Sequence, residues 1–504
     1  MGILIWLASV LVTLISMIYL YFKSSFSYWK DRGVPYSEPT FPWGNIVQNG
    51  KIATLKAIIG KLYTIRETSI PFVGGYTFNK PFVLVSDLEF AKHVLIKDFN
   101  YFEDRGAYYN ERDDPLSAHL FALDGPKWRV LRAKMTPTFT GGKMKFMFPT
   151  IRQVAEKLSG ALESNLDNEN YLEVRDLLAR YFTDVIGTCI FGIECNSLSN
   201  PDAEFRRVGR HLFEKPHLPP ILRAFTLIFP DLSRKLHIKV TSDFVSKFFM
   251  RILRETIEYR ESNNVRRNDF MDILIQLKNG QDEGADGSGR IGKLTFEQIA
   301  AQAFVFFLGG FEASAATMSF VLHELMVNND IQDKVRKEIF DVLEEHNGET
   351  TYEALNDMKY LDQVITETLR KYPPVIFLIR KAVKDYPVPK TNKIIEKGMS
   401  IFIPVETFQH DPAIYPDPDV FDPDRFSSET EGIGRPSDAF LAFGDGPRNC
   451  IGLRFGLLQV KMGLVALLKH YRFIRCQKSQ IPLQFTNFTP VLTPKGVWLG
   501  VQKI

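Results

Sequence analysis

The stretch FGDGPRNCIG, Phe443 to Gly452, places three glycines, one proline and one of the chain's four cysteines just ahead of the apolar helical run LRFGLLQVKMGLVALL. Cys450 thus stands at the approach to a helix N-terminus. There backbone N–H groups and the positive end of the helix dipole favour a thiolate, which is both a nucleophile and a metal ligand. Gly444 and Gly446 permit a tight turn or the close approach of a flat ligand, and Gly452 permits close helix packing. Arg448 lies two residues before the sulfur and suits an anionic group on such a ligand. A cysteine nucleophile wants a histidine partner, and none of the nine histidines lies in a recognisable cysteine-hydrolase signature. The metal-ligand reading is therefore ahead. Cys189, Cys195 and Cys476 sit among apolar neighbours without CxxC or zinc spacing and read as buried small hydrophobes, which suits a reducing compartment.

Working outward, the chain has 504 residues, 45% hydrophobic and 24% charged, with a formal net charge of +3. That is a globular composition with no long basic run, which argues against disorder, collagen and nucleic-acid binding. The N-terminus carries no charged side chain from Met1 to Phe22, and Lys23, Lys30 and Arg32 follow. This length matches a bilayer's hydrocarbon thickness of about 30 Å and exceeds the h-region of a signal peptide, so residues 1–22 read as a retained single-pass anchor with a cytoplasmic C-terminal flank. Residues 23–49 contain Pro35, Pro39 and Pro42 and read as a stiff spacer. The rest, 50–504, reads as one folded domain. Its β-rich portion covers about 50–95, 374–420 and the C-terminal tail; its larger helical portion covers about 100–373 and 440–470. The Gly- and Asp-rich segment 278–292 reads as a surface loop, after which Thr295 and Gln298 form a capping box for a helix ending near Asn328.

The spacing Phe443, Gly446, Arg448, Cys450, Gly452 resembles the haem-binding loop of cytochrome P450 monooxygenases, and other landmarks of that family occur in its order. Glu367 and Arg370 in ETLRKYPP resemble the family's ExxR motif, and Arg425 in FDPDRF resembles the second arginine of a buried triad that fixes architecture. Trp128 and Arg132, one helical turn apart, resemble the residues that hold a haem propionate, with Arg380 and Arg448 as further cationic donors. In AFVFFLGGFEASAATMSF, Gly309 and Gly310 interrupt an apolar helix. Close approach of a flat ligand, a kink or a π-bulge would each account for them. Glu312 follows, and the stretch resembles the oxygen-activation motif except that Ala313 stands where the family has threonine. Ser314 lies about 100° further round the helix and cannot simply replace it; a water held by Glu312 or Ser314 is the expected substitute.

The resemblance implies the mainly α cytochrome P450 fold with a smaller β-rich part, and haem b on a Cys450 thiolate. It further implies NADPH–cytochrome P450 reductase as donor, with cytochrome b5 as an optional second, and an endoplasmic-reticulum location facing the cytosol. The chain is most similar to microsomal members of the insect detoxification type, which implies oxidation of lipophilic xenobiotics or endogenous hydrophobic compounds. Expected pocket walls are Phe102, Tyr108, Phe121, Phe304, Phe307, Phe377, Leu378, Phe485 and Phe488, together with Gly310 and Phe443 beside the cofactor. Lys127, Lys134, Lys143 and Lys145 read either as a solvated face or as a surface that steers an acidic donor. Residues 219–232 read either as a core helix end or as a segment dipping into the membrane. Two rival activities use the same frame: reductase-independent isomerisation or dehydration of hydroperoxides, and a non-catalytic haem sensor.

Overall fold

A computed structural model of the chain describes residues 2–48, 51–214, 217–267, 269–280, 293–427, 439–486 and 491–504. From residue 281 the expected loop at 278–292 lies outside the described residues, as does Phe488. The chain divides into two compact units, one of Met1–Gly106, Ile376–Pro416 and Pro436–Asn449, the other of Ala107–Val375, Asp417–Arg435 and Cys450–Ile504.

The first unit begins with helix α1, Gly2–Phe26, none of whose side chains is buried. At 1.5 Å per residue it is about 38 Å long and runs four residues past the expected end at Phe22, because nothing in Lys23–Phe26 breaks a helix. The spacer does not stand free. Trp29 is buried, its indole Nε1 donates to the Gly75 carbonyl at 3.0 Å, and the Gly74 amide donates to the Pro35 carbonyl at 2.8 Å. A Cβ on Gly74 would lie 2.4 Å from the Trp29 ring, so this glycine admits the indole. Prolines stiffen this segment, but the buried tryptophan decides its path.

Strands β1 (Phe72–Thr77) and β2 (Lys80–Val85) are nearly continuous apolar runs, as strands covered on both faces require. β1 pairs antiparallel with β2, and β2 pairs parallel with a strand at Ser400–Ile403, which pairs antiparallel with one at Leu378–Lys381.

In the second unit the elements that carry the site are helices α2 (Gly125–Met135), α3 (Val174–Ile186), α4 (Glu204–Glu214), α5 (Phe296–Val327), α6 (Lys359–Lys371) and α7 (Leu453–Leu468). The capping box forms as expected: Gln298 N donates to Thr295 Oγ1 at 3.2 Å, and Thr295 N to Gln298 Oε1 at 3.0 Å. α5 is apolar nearly all round and correspondingly buried, which makes it the unit's central helix. The C-terminal tail belongs to this helical unit rather than to the small β-rich portion. Its strand Trp498–Lys503 lies between strands Tyr171–Glu173 and Tyr471–Ile474, antiparallel to both, so the backbone ladder and not the tail's composition decides its place.

Candidate functional site

In the first unit, the loop ahead of Cys450 is held by its backbone. Gly444 and Gly446 have φ of +69° and +68°, in the left-handed region that favours glycine. A Cβ at Gly446 would meet the Leu95 carbonyl oxygen at 2.0 Å, so neither conformation nor space admits a side chain. Asp445 Oδ1 accepts from the Gly446 amide at 2.6 Å, and Arg105 Nη2 donates to the Arg448 carbonyl at 3.0 Å. Arg105 went unnoticed in the sequence, where nothing in YFEDRG singles it out.

Two guanidinium groups are buried here: Arg380 is 1% and Arg448 2% exposed. Arg380 Nη1 donates to the Ile379 carbonyl at 2.8 Å, but its Nε meets no acceptor among the described residues. Burial, with the Arg448 charge added to it, pushes Arg380 down to about 9. A buried cation repelled by its neighbour and short of an acceptor suits an anionic ligand, as the carboxylates of a haem would be. Leu378 also belongs here, its methyls 3.7 Å from where a Gly444 Cβ would stand, while Phe443 is half-buried near Phe440.

The chain enters the second unit at Cys450, whose side chain is exposed and which stands three residues before α7. Trp128 is buried and Arg132 half-buried on α2. Burial lowers the Arg132 guanidinium, and the Cys450 sulfur raises it, so the two lie within electrostatic reach. The expected triad is present. Glu367 receives Arg370 through both oxygens, Nε at 2.7 Å and Nη2 at 2.9 Å, while Arg425 Nε lies 3.5 Å from Oε1. Arg370 also donates to the Pro418 carbonyl and Arg425 to the Asp417 carbonyl, so the triad clamps the 417–425 segment.

α5 stays helical through Gly309 and Gly310, with no π-bulge. The two glycines do different things. Nothing lies within 4 Å of a Cβ built on Gly309, which is exposed, whereas one on Gly310 would lie 3.0 Å from Ile186 Cδ1. Gly310, expected beside the cofactor, is therefore a packing residue. Open space falls on the face of Val305, Leu308, Gly309 and Ala313, which sequence reasoning missed except at its glycine and alanine. Counting back four, five and eight residues from Ala313 would have found it. Phe304 and Phe307 correct the expected pocket. Both are buried in an aromatic cluster, Phe304 5.2 Å from Phe249 and Phe307 stacked on Phe311 at 5.6 Å. Glu312 is buried and paired with Arg175 Nη2 at 2.7 Å; Ser314 Oγ accepts from Gln459 Nε2 at 2.8 Å, directing it toward α7.

Of the other expected walls, Phe102 is core: it is fully buried and packs edge-on against Tyr386 at 4.7 Å. Tyr108 is buried, with its hydroxyl donating to the Ile238 carbonyl at 2.7 Å. Phe121 is half exposed. Phe377 packs on Phe402 at 5.4 Å, and Phe485 lies 6.1 Å from Phe320 and 6.2 Å from Tyr372. The expected basic surface is smaller than the sequence suggests, because Lys134 is buried and Lys127 and Lys145 are paired with Glu111 and Glu353.

The family model described as Cytochrome P450 matches residues 35–500. The chain is 46% identical over 502 residues to "Cytochrome P450 6a8" of Drosophila melanogaster, covering 99% of both chains. It is 45% identical over 491 residues to "Cytochrome P450 6A1" of Musca domestica, covering 96% of both. These relatives are insect enzymes, and the family carries haem on a cysteine thiolate. The chain belongs to the cytochrome P450 family, as a monooxygenase.

Proposed function

We propose that this enzyme inserts one oxygen atom from dioxygen into lipophilic small molecules, using electrons passed from NADPH through a membrane-bound reductase. The observation that carries the reading is the Arg380–Arg448 pair, buried charge shared between the strand Leu378–Lys381 and the loop that leads to Cys450. Cys450 would ligate the iron, and Trp128, Arg132, Arg380 and Arg448 would hold the propionates. Bound haem supplies dioxygen activation, with the thiolate's electron density favouring O–O cleavage. The chain's own residues do the rest. Val305, Leu308, Gly309 and Ala313 present an apolar face that favours a hydrophobic substrate and disfavours water. Ala313 offers no hydroxyl, so protons must be handled by a neighbour, and Glu312 is the nearest acid in the sequence.

Membrane attachment fits the same chemistry. α1 is long and apolar enough to cross a bilayer. Leu227, Phe229, Leu232 and Leu236 are exposed on and beside the short helices Pro220–Ile228 and Pro230–Lys235, which favours a membrane-dipping segment over a core helix end. A location at the endoplasmic reticulum with the catalytic body in the cytosol follows from this reading.

Reconstitution tests it. Purified holoenzyme with reductase, NADPH and a panel of lipophilic compounds should give dioxygen-dependent product, and none without reductase. Cys450→Ser should lose both product and the thiolate-type spectrum of the carbon monoxide complex. Rearrangement of hydroperoxides without reductase, in the absence of any NADPH-driven product, would overturn the proposal.

A further inference from the structure

Positive charge is matched in one buried ion cluster of the second unit and unmatched in another. Arg260 meets two carboxylates, donating to Asp269 through Nη1 at 2.7 Å and Nη2 at 2.6 Å, and to Asp272 through Nη1 at 2.7 Å. Between α3 and α4 the ratio is reversed, with three arginines gathered about Asp176. Arg180 Nε lies 3.0 Å from Asp176 Oδ2, Arg206 Nη2 donates to Oδ1 at 2.7 Å, and Arg210 follows Arg206 one turn on along α4. Arg180 and Arg206 are 4% and 5% exposed.

Their other donors find little negative charge. Arg180 Nη2 donates to Asn165 Oδ1 at 2.7 Å, a neutral oxygen, and Arg210 Nη2 donates to the Pro201 carbonyl at 2.7 Å and to Asp202 Oδ1 at 3.0 Å. The Asp202 side chain is 87% exposed, so water screens that pair. Arg206 is held by Asp176 and by the Phe311 ring, 5.6 Å from its guanidinium carbon. Its Nε is nevertheless a buried atom with no acceptor among the described residues, and so is the Nε of Arg210. Burial, with the charges of Arg206 and Arg210 added to it, outweighs Asp176 and holds the Arg180 guanidinium below its ordinary value. Water would satisfy an empty N–H, but only an anion also offsets the excess charge.

We propose that the arginine cluster between α3 and α4 is an oxyanion site, in which a phosphate group bridges Arg206 and Arg210 on the side away from Asp176. A phosphate offers acceptor oxygens enough for both empty Nε–H groups, and the planar fork of arginine matches its geometry. The phosphate comes free from solution or on a lipid headgroup, since the chain runs on from α4 to the helices Pro220–Ile228 and Pro230–Lys235 with their exposed apolar residues. Occupancy fastens α4 to α3 by giving their like charges a common partner. The inference is independent of the oxygen chemistry and concerns residues with no part in it.

The test titrates holoenzyme in a non-ionic detergent with inorganic phosphate at constant ionic strength, reading calorimetric binding and the midpoint of thermal unfolding. The parent should bind phosphate saturably, and its midpoint should rise as phosphate is added. R206Q should weaken binding at least tenfold and R210Q, at the more exposed end of the cluster, about fivefold. D176N removes the competing carboxylate and should strengthen binding about threefold, a gain that a misfolded variant would not show. R251Q takes the same unit of charge from a pair with Glu204 and should stay within about twofold of the parent. A second arm uses bilayer discs of phosphatidylcholine with and without phosphatidic acid. Loss of phosphate binding only where phosphatidic acid is present assigns the site to a lipid headgroup, and binding unchanged by it assigns the site to free phosphate. The proposal is overturned by a parent that binds no phosphate saturably, by binding that survives both R206Q and R210Q, by a D176N protein that binds no more tightly, or by an equal loss in R251Q.

Discussion

The loop before Cys450 and the middle of α5 belong to different units of the chain, and they are held in different ways. The loop is held by backbone: left-handed glycines, an aspartate accepting from the next amide, and a carbonyl where a side chain would have to stand. The α5 segment is regular helix, and what matters there is set by side chains arriving from elsewhere, Arg175 and Thr493 on Glu312 and Gln459 on Ser314. A backbone constraint names its residue types and admits few others. A side-chain constraint leaves the helix free to vary, and Ala313 stands where the family has threonine.

The largest break in this contrast should come at Gly446. G446A must clear the Leu95 carbonyl and adopt a left-handed φ, which costs about 3 kcal/mol or more, so haem content at purification should fall at least tenfold. Unchanged haem content would show that the loop is not held as described.

Next in size is the pH dependence at Arg380. Its guanidinium is pushed down to about 9, and pairing with a ligand carboxylate would raise it again. The charged form is therefore available for pairing below about 9, and haem binding must take up a proton above it. Haem transfer to an excess of an apo acceptor should accelerate as pH rises above about 9, approaching tenfold per unit, and R380Q should remove that dependence while weakening retention at neutral pH.

The two adjacent glycines sharpen the comparison inside the helix itself. G309A places its methyl in open space and should stabilise the protein by about 1 kcal/mol in thermal or denaturant unfolding. G310A pushes against Ile186 Cδ1 and should gain none of that. Substrate affinity should drop in G309A and not in G310A, because only Gly309 faces open space.

The smallest effect is expected at Ala313. A313T restores a hydroxyl on the open face, and should lower peroxide leakage per NADPH consumed by about twofold under matched turnover. A variant that leaks as much as the parent would mean that proton supply runs entirely through other groups.

How much was legible follows the same division. The triad could be read because its ExxR and FDPDRF segments fall in a recognisable order, and the geometry then closes Glu367 onto Arg370 and Arg425. The capping box could be read because its two bonds span three residues. The pocket walls could not: Phe102, Phe304 and Phe307 look like any lining aromatic in sequence, and they are core because their faces turn toward Tyr386, Phe249 and Phe311. Trp29 gave no warning that the proline-rich segment would be pulled onto β1.

The sequence by itself singled out Cys450, the glycine-built turn that precedes it, the central helix with its cap, and the apolar leading helix. Each of these depends on local conformation or on residues a few positions apart, where residue type and spacing suffice. Tertiary structure alone decided which glycine faces open space, which phenylalanines are core, and that an arginine 137 positions away holds the acid of α5. Those depend on the rotational phase of one packed element against another, and on charges that meet only when the chain is folded, neither of which has a signature in adjacent residues.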